Sequence, residues 1–131
     1  MTASDQETKL PREPAIRVVL LPRDTNANGT IFGGVILSYI DLAGAVEAKK
    51  HTSSRVVTVA IKEVIFKHPV MVGEVVSFYT SITAIGRTSI SIHVDVESDR
   101  SGMRVPVTEA DVTFVCVDND GNPTPVIPHP R

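Results

Sequence analysis

Asp41 stands in the middle of an otherwise apolar run that opens with the glycine pair Gly33-Gly34, and the turn-rich stretch NANGTIFGG before it begins with Asn26. A carboxylate, a side-chain amide and bare backbone N–H groups are the parts needed to hydrolyse an activated acyl group such as a thioester. That reaction requires a polarised carbonyl, an attacking water or carboxylate, and donors for the oxyanion that develops. Two glycines at a helix start let a substrate oxygen reach backbone N–H groups, where the helix dipole favours negative charge. Losing such a donor costs other enzymes about 100- to 1,000-fold in turnover. Asp is a weak helix former, and a carboxylate in an apolar helix needs a partner or a neutral form. Each residue also has a plainer reading. Gly33 and Gly34 could simply permit a tight turn, Asp41 could sit on a solvated helix face beside Ser38, and Asn26 and Asn28 could pin a turn through their amides.

Other chemistries have less to stand on. No G-x-S-x-G elbow is present, and Cys116 lies in an apolar run (Val112, Phe114, Val115, Val117) that suits a buried, inert thiol. His51, His68, His93 and His129 fall in no zinc-binding pattern, so no metal is expected. The stretch GTIFGG lacks the G-K-[ST] of a nucleotide-binding loop.

The elements that must position these residues follow from hydrophobic period. Ile16 to Leu21 reads as a short strand stopped by Pro22, and RDTNANGT as a loop. VILSYIDLAGAVEAKK has helical spacing, with Val35, Ile36, Tyr39, Ile40, Leu42, Ala43 and Val46 on a broad apolar face. Asp41 falls off that face, among the small side chains of Ser38, Gly44, Ala45 and Ala48. From Arg55 to Phe66 both faces of a long strand are apolar, which predicts a central strand buried on both sides. Val76 to Ala84 and Ile90 to Val96 alternate as half-buried strands, and Val105 to Val117 reads as a last long strand. One long helix followed by a meander of antiparallel strands indicates an α+β domain whose sheet wraps around the helix.

The chain has 131 residues, 42% hydrophobic and 21% charged, with a net charge of −2. That suits one soluble domain around one core. Scattered Lys and Arg exclude a nucleic-acid footprint, and no apolar stretch reaches the ~20 residues of a membrane span. The polar start MTASDQETKLPREP is unlike a secretory signal, so the cytoplasm is the expected compartment. Residues 1–14 read as a disordered tail, 15–121 as the domain and 122–131 as a proline-rich tail.

Four stretches together carry a resemblance: LPRDTNANGTIFGGVILSYID, RVVTVAIKEVIFKHPVMVGEVV, GRTSISI and VTEADVTFVCVDNDG. From about Arg17 to Gly121 the chain resembles the bacterial short-chain acyl-CoA thioesterases of the hotdog superfamily. The resemblance implies a hotdog fold, an antiparallel sheet of about five strands around one long central helix. It implies hydrolysis of acyl-coenzyme A to a free acid and CoA, with no cofactor beyond the coenzyme A of the substrate. It also implies a site shared between subunits, with Asp41 of one as general base or nucleophile facing Asn26 of the other, and Gly33-Gly34 binding the oxyanion. Many relatives carry His where this chain has Phe32, which more plausibly lines the acyl pocket or core. Arg87, Thr88 and Ser89 are implied near the CoA phosphates, although Arg87 also suits a solvated hairpin turn. Lys50, Lys62 and Lys67 are further cations for that role. The implied assembly is a homodimer as minimal active unit, built further into a hexamer as a trimer of dimers. Two rivals remain: a non-catalytic acyl-CoA-binding sensor, and a hotdog hydratase or dehydratase, which would need a well-placed His that the loop and helix lack.

Overall fold

A computed structural model describes residues 12–129. Most of the expected N-terminal tail, residues 1–11, therefore lies outside the described part. Arg12, at that tail's end, is packed: its guanidinium lies 4.4 Å from the ring centre of Tyr79 and pairs with Asp95. One helix, α1 (Gly33–Lys49), lies across a five-stranded antiparallel sheet of order β1-β3-β4-β5-β2. The strands are β1 (Ile16–Val19), β2 (Arg55–Lys62), β3 (Val75–Ile85), β4 (Ser89–Arg100) and β5 (Met103–Val117).

Period-two alternation builds the three long strands. On β4, Ile90, Ile92, Val94 and Val96 are buried while Ser91, His93, Asp95 and Glu97 are half-buried on the outer face. The register between β4 and β5 slips at Val96/Glu97, so that Val107 and Thr108 are both buried although they are adjacent. From α1, Ile36, Ile40 and Ala43 complete the core against Phe78, Val94 and Phe114, with Tyr39 tilted on Phe78 at 5.6 Å between ring centres. The helix stripe is narrower than its spacing predicts. Leu42 and Val46 are exposed, because the buried side of α1 runs Ile36, Ile40, Ala43, Gly44 and Ala48. Of the small residues beside Asp41, Gly44 and Ala48 are buried, Ala45 is half-buried and Ser38 is exposed. A Cβ on Gly44 would stand 2.9 Å from the Phe114 ring, so glycine lets helix and strand close up there.

The expected central strand is an edge strand. β2 pairs only with β5, and it ends at Lys62 because Glu63 takes a left-handed turn (φ 58°). Its outward apolar residues stay exposed, Val59 at 56%. Among the described residues nothing covers Val57 and Val59 on the second face that its sequence prepares for burial. Cys116 is buried, as its apolar surroundings suggest. Residues 122–129 form no helix. They run extended along the domain, with Thr124 N–H on Cys116 O (2.8 Å), Val126 N–H on Arg87 O (2.8 Å) and Ser53 N–H on Ile127 O (2.9 Å). No described helix is long and apolar enough to cross a membrane.

Candidate active site

The half-buried Asp41 has a specific partner that its place in the sequence does not reveal. Its Oδ1 accepts a 2.5 Å hydrogen bond from the Oγ1 of Thr58, on the exposed strand β2. A freely solvated helix face therefore does not describe it. Thr58 passes unnoticed in the sequence, since a threonine in an apolar strand is what β propensity alone would place there.

At the other end of α1, Asn26 pins a turn. Its Oδ1 accepts from the backbone N–H groups of Asn28 (2.8 Å) and Thr30 (3.2 Å), and its Nδ2 donates to Thr30 Oγ1 (3.0 Å). The plainer reading of Asn26 is thus correct for its local bonds, yet the residue also lines a cavity. That cavity, about 280 Å³, has Asn26, Thr30, Gly33, Ile36, Phe66 and His68 among its walls. α1 starts at Gly33 itself, and among the described residues neither Gly33 nor Gly34 donates its N–H to a carbonyl. Two backbone donors therefore stand free at the positive end of the helix dipole. Both glycines have ordinary backbone angles, and a Cβ on Gly34 would fall 2.6 Å from the ring of Phe32, an exposed side chain with room to turn away. Phe32 lines neither the cavity nor the core and is 57% exposed.

Within one chain the structure does not bring Asp41 to Asn26 and Gly33. At 1.5 Å per residue, Asp41 lies about 12 Å along the helix from Gly33, and it is not part of the cavity wall. The GRTS turn joins β3 to β4. Ser89 pairs with Val115, which pairs with Val57, so this turn stands two strand spacings, about 10 Å, from the neighbour of Thr58. Arg87 is exposed, and its backbone is fixed through Val126. Lys50 and Lys62 are exposed and Lys67 is paired with Glu109 (3.0 Å).

Two histidines stand out, and His93 lies on the polar face of its strand as the alternation of that strand predicts. His68, absent from loop and helix alike, is a wall of the cavity. His93 on the outer sheet face bonds Asp111 through Nδ1 (2.8 Å) and Asp95 through Nε2 (3.2 Å). The hydrogen bond to Asp111 raises its pKa, desolvation opposes the rise, and Asp95 adds to it. His93, Asp95 and Glu109 each place one potential ligand atom within 4.8 Å of the others, but Arg12 and Lys67 already answer the two carboxylates.

A family model described as the thioesterase superfamily matches residues 28–104, which hold the end of the loop after Asn26, α1, β2, β3 and β4. This chain belongs to the thioesterase superfamily. Members similar to it include the acyl-CoA thioester hydrolase YciA of Salmonella typhimurium, 44% identical over 119 residues, 87% of this chain and 90% of that one. A hexameric hotdog-fold thioesterase of Campylobacter jejuni superposes with a TM-score of 0.80 at 44% identity, covering 87% and 90% of the two chains. The hexameric thioesterase y2039 of Yersinia pestis superposes at 0.85 with 41% identity, covering 90% and 98%. The sheet curled around α1 is thus a hotdog fold, as the sequence resemblance implies.

Proposed function

We propose that this chain hydrolyses acyl-coenzyme A thioesters, in a site assembled from two copies. The observation that carries this reading is the separation of two half-sites. Asn26 and the free N–H groups of Gly33 and Gly34 surround one cavity, while Asp41, held by Thr58, faces outward beside the unpaired β2 edge. A second copy joined along that edge would cover Val57, Val59, Leu42 and Val46, all exposed in the single chain. Its Asp41 would then approach the first copy's cavity. The hexameric state of the C. jejuni and Y. pestis thioesterases supports an assembly in which this pair repeats as a trimer of dimers.

In this site the thioester carbonyl oxygen lies on Gly33 and Gly34 N–H, so the oxyanion forms where donors and dipole already point. Asp41 takes a proton from the water that attacks the carbonyl and passes it to the departing CoA thiolate; on the covalent route its carboxylate attacks, CoA thiolate leaves, and water hydrolyses the acyl–Asp41 anhydride, restoring the carboxylate and supplying the thiol's proton. Thr58 holds Oδ1 and leaves Oδ2 for the reaction. Asn26 orients the attacking water or the carbonyl. The Arg87–Ser89 turn receives the CoA phosphates. Two similar acyl-CoA hydrolases have been solved as aspartate-to-alanine mutants, one from Staphylococcus aureus, which agrees with a central role for an aspartate.

The test is thiol release from a panel of acyl-CoA thioesters. Asp41→Ala should lose at least about 100-fold in turnover with its circular dichroism unchanged. Mixing Asp41→Ala with Asn26→Ala protein should restore about a quarter of wild-type activity after random exchange, because half of the pairs are mixed and each holds one intact site. Exchange shown by mass spectrometry without any return of activity would defeat the shared site.

A further inference from the structure

His68 is the cavity's one histidine. Its Nδ1 lies 2.8 Å from the carbonyl oxygen of Pro106. A carbonyl oxygen can only accept, so Nδ1 carries a proton, and the neutral tautomer that this bond selects presents a lone pair at Nε2. Among the described residues Nε2 has no hydrogen-bond partner. His51, His93 and His129 make their hydrogen bonds at places that do not line the cavity.

The segment carrying His68 is held from both sides. Pro69 restricts the residue before it to extended backbone. Lys67 N–H bonds Val107 O (2.7 Å), Thr108 Oγ1 bonds Ile65 O (2.7 Å), Arg100 Nη2 bonds Pro69 O (2.9 Å), and Ile31 N–H bonds Val70 O (2.9 Å). The last of these ties the segment to the loop that leads into Gly33. A hydrogen-bond acceptor is therefore fixed on the same cavity wall system as Asn26 and the free backbone donors, with Ile36 and Phe66 as apolar neighbours. In a mostly apolar pocket such a group decides orientation and selectivity.

We infer that His68 is a further substrate-binding residue, whose Nε2 accepts a hydrogen bond from an N–H or O–H donor on the acyl thioester that fills the cavity. This rests on the acyl-CoA reading above. Such donors occur on the pantetheine amides and on acyl groups that carry a hydroxyl.

Two variants separate the acceptor from its tether. His68→Leu removes both nitrogens, whereas His68→Gln loses the bond to Pro106 but keeps an oxygen acceptor near the place of Nε2. Thiol release is followed with butanoyl-CoA and 3-hydroxybutanoyl-CoA. In His68→Leu, KM should rise about fivefold or more, the size of one net hydrogen bond, while kcat changes less than about twofold. His68→Gln should return most of the loss. A rise confined to the hydroxyacyl substrate places the donor on the acyl group, and an equal rise with both places it on the pantetheine arm. Unchanged KM for both substrates in His68→Leu overturns the inference. Equal damage in His68→Leu and His68→Gln also overturns it, since the tether to Pro106 alone would then matter. If the wild type binds acyl-CoA but releases no thiol, the hydrolase reading fails. The same fivefold comparison is then read in Kd by calorimetry. A protein that binds no acyl-CoA defeats both.

Discussion

Replacing Thr58 by valine should slow the reaction without weakening substrate binding. Valine keeps the β-branched shape that suits β2 and removes only the hydroxyl. That hydroxyl stands 2.5 Å from Asp41 Oδ1, within the short range of hydrogen bonds to a carboxylate. A bond of this kind contributes about 1.5–3 kcal/mol, and the exposure of Thr58 argues for the lower end, about 1.5 kcal/mol or a little over tenfold. Once it is gone the carboxylate is free to turn, and misplacement by about 1 Å can cost about 100-fold. We expect kcat to fall about 10- to 50-fold with KM within about twofold, and Thr58→Ser, which keeps the hydroxyl, to stay within about threefold of wild type. Steady-state thiol release with butanoyl-CoA measures both constants. Wild-type kcat in Thr58→Val, or a serine variant as slow as the valine one, would refute the claim that this hydroxyl positions Asp41.

Val59→Lys places a charge on the open edge of β2, where lysine discourages pairing; the oligomer should fall apart by light scattering and activity should fall with it, and an unchanged mass would rule the edge out as the interface. His93 has a raised pKa in the folded state, so its contribution is present in full below the unfolded value of about 6.5 and is lost as pH rises through the higher folded value. His93→Gln should therefore cost up to about 1 kcal/mol near pH 6 and nothing measurable at pH 9; a gap that widens with pH in paired denaturant titrations would contradict this. Glu74 has the opposite sign. The hydrogen bond from Arg100 holds its carboxyl below the usual range, with Met71 N–H and Ser98 adding to this, so its stabilisation is present above about pH 4.3 and lost as pH falls through the folded value. Glu74→Gln should cost about 1 kcal/mol at pH 7, screened by the exposed Arg100, and almost none at pH 3; equal losses at both pH values would show that charge plays no part.

The strands that alternate were legible because one face meets the core and the other meets water. Ile90 to Val96 is the clearest case, with buried and half-buried positions trading places at every residue. β2 misleads for a physical reason. Apolar residues on both faces describe a strand buried at the centre of one sheet, and they equally describe an edge strand that a second copy would cover. Period-two patterns record burial and say nothing of which chain supplies the cover. The helix shows a related limit. Leu42 and Val46 extend its apolar wheel, yet only the stripe from Ile36 to Ala48 reaches the sheet, and the surplus apolar residues share the exposed side with the candidate catalytic carboxylate.

The same ambiguity governs the site. Asp41 is conspicuous because a carboxylate is costly in such a helix, but its compensating partner is a threonine seventeen positions away that any strand would carry. Asn26 is conspicuous within its loop, and its side chain is occupied there by Asn28 and Thr30. Turn pinning and substrate contact are compatible, since a pinned amide has a fixed direction and Asn26 still forms part of the cavity wall. His68 lies outside the segments in which a reacting histidine would be sought, and only the run of segment 65–70 against β5 carries it into the cavity. What local sequence cannot express is distance between elements. Asp41 and Asn26 look close along the chain, yet α1 holds the carboxylate about 12 Å beyond the free N–H groups at its start. On the proposed reading, a helix that rigid gives one chain two halves of different sites, so the proposed chemistry requires the open edge of β2 as much as it requires Asp41.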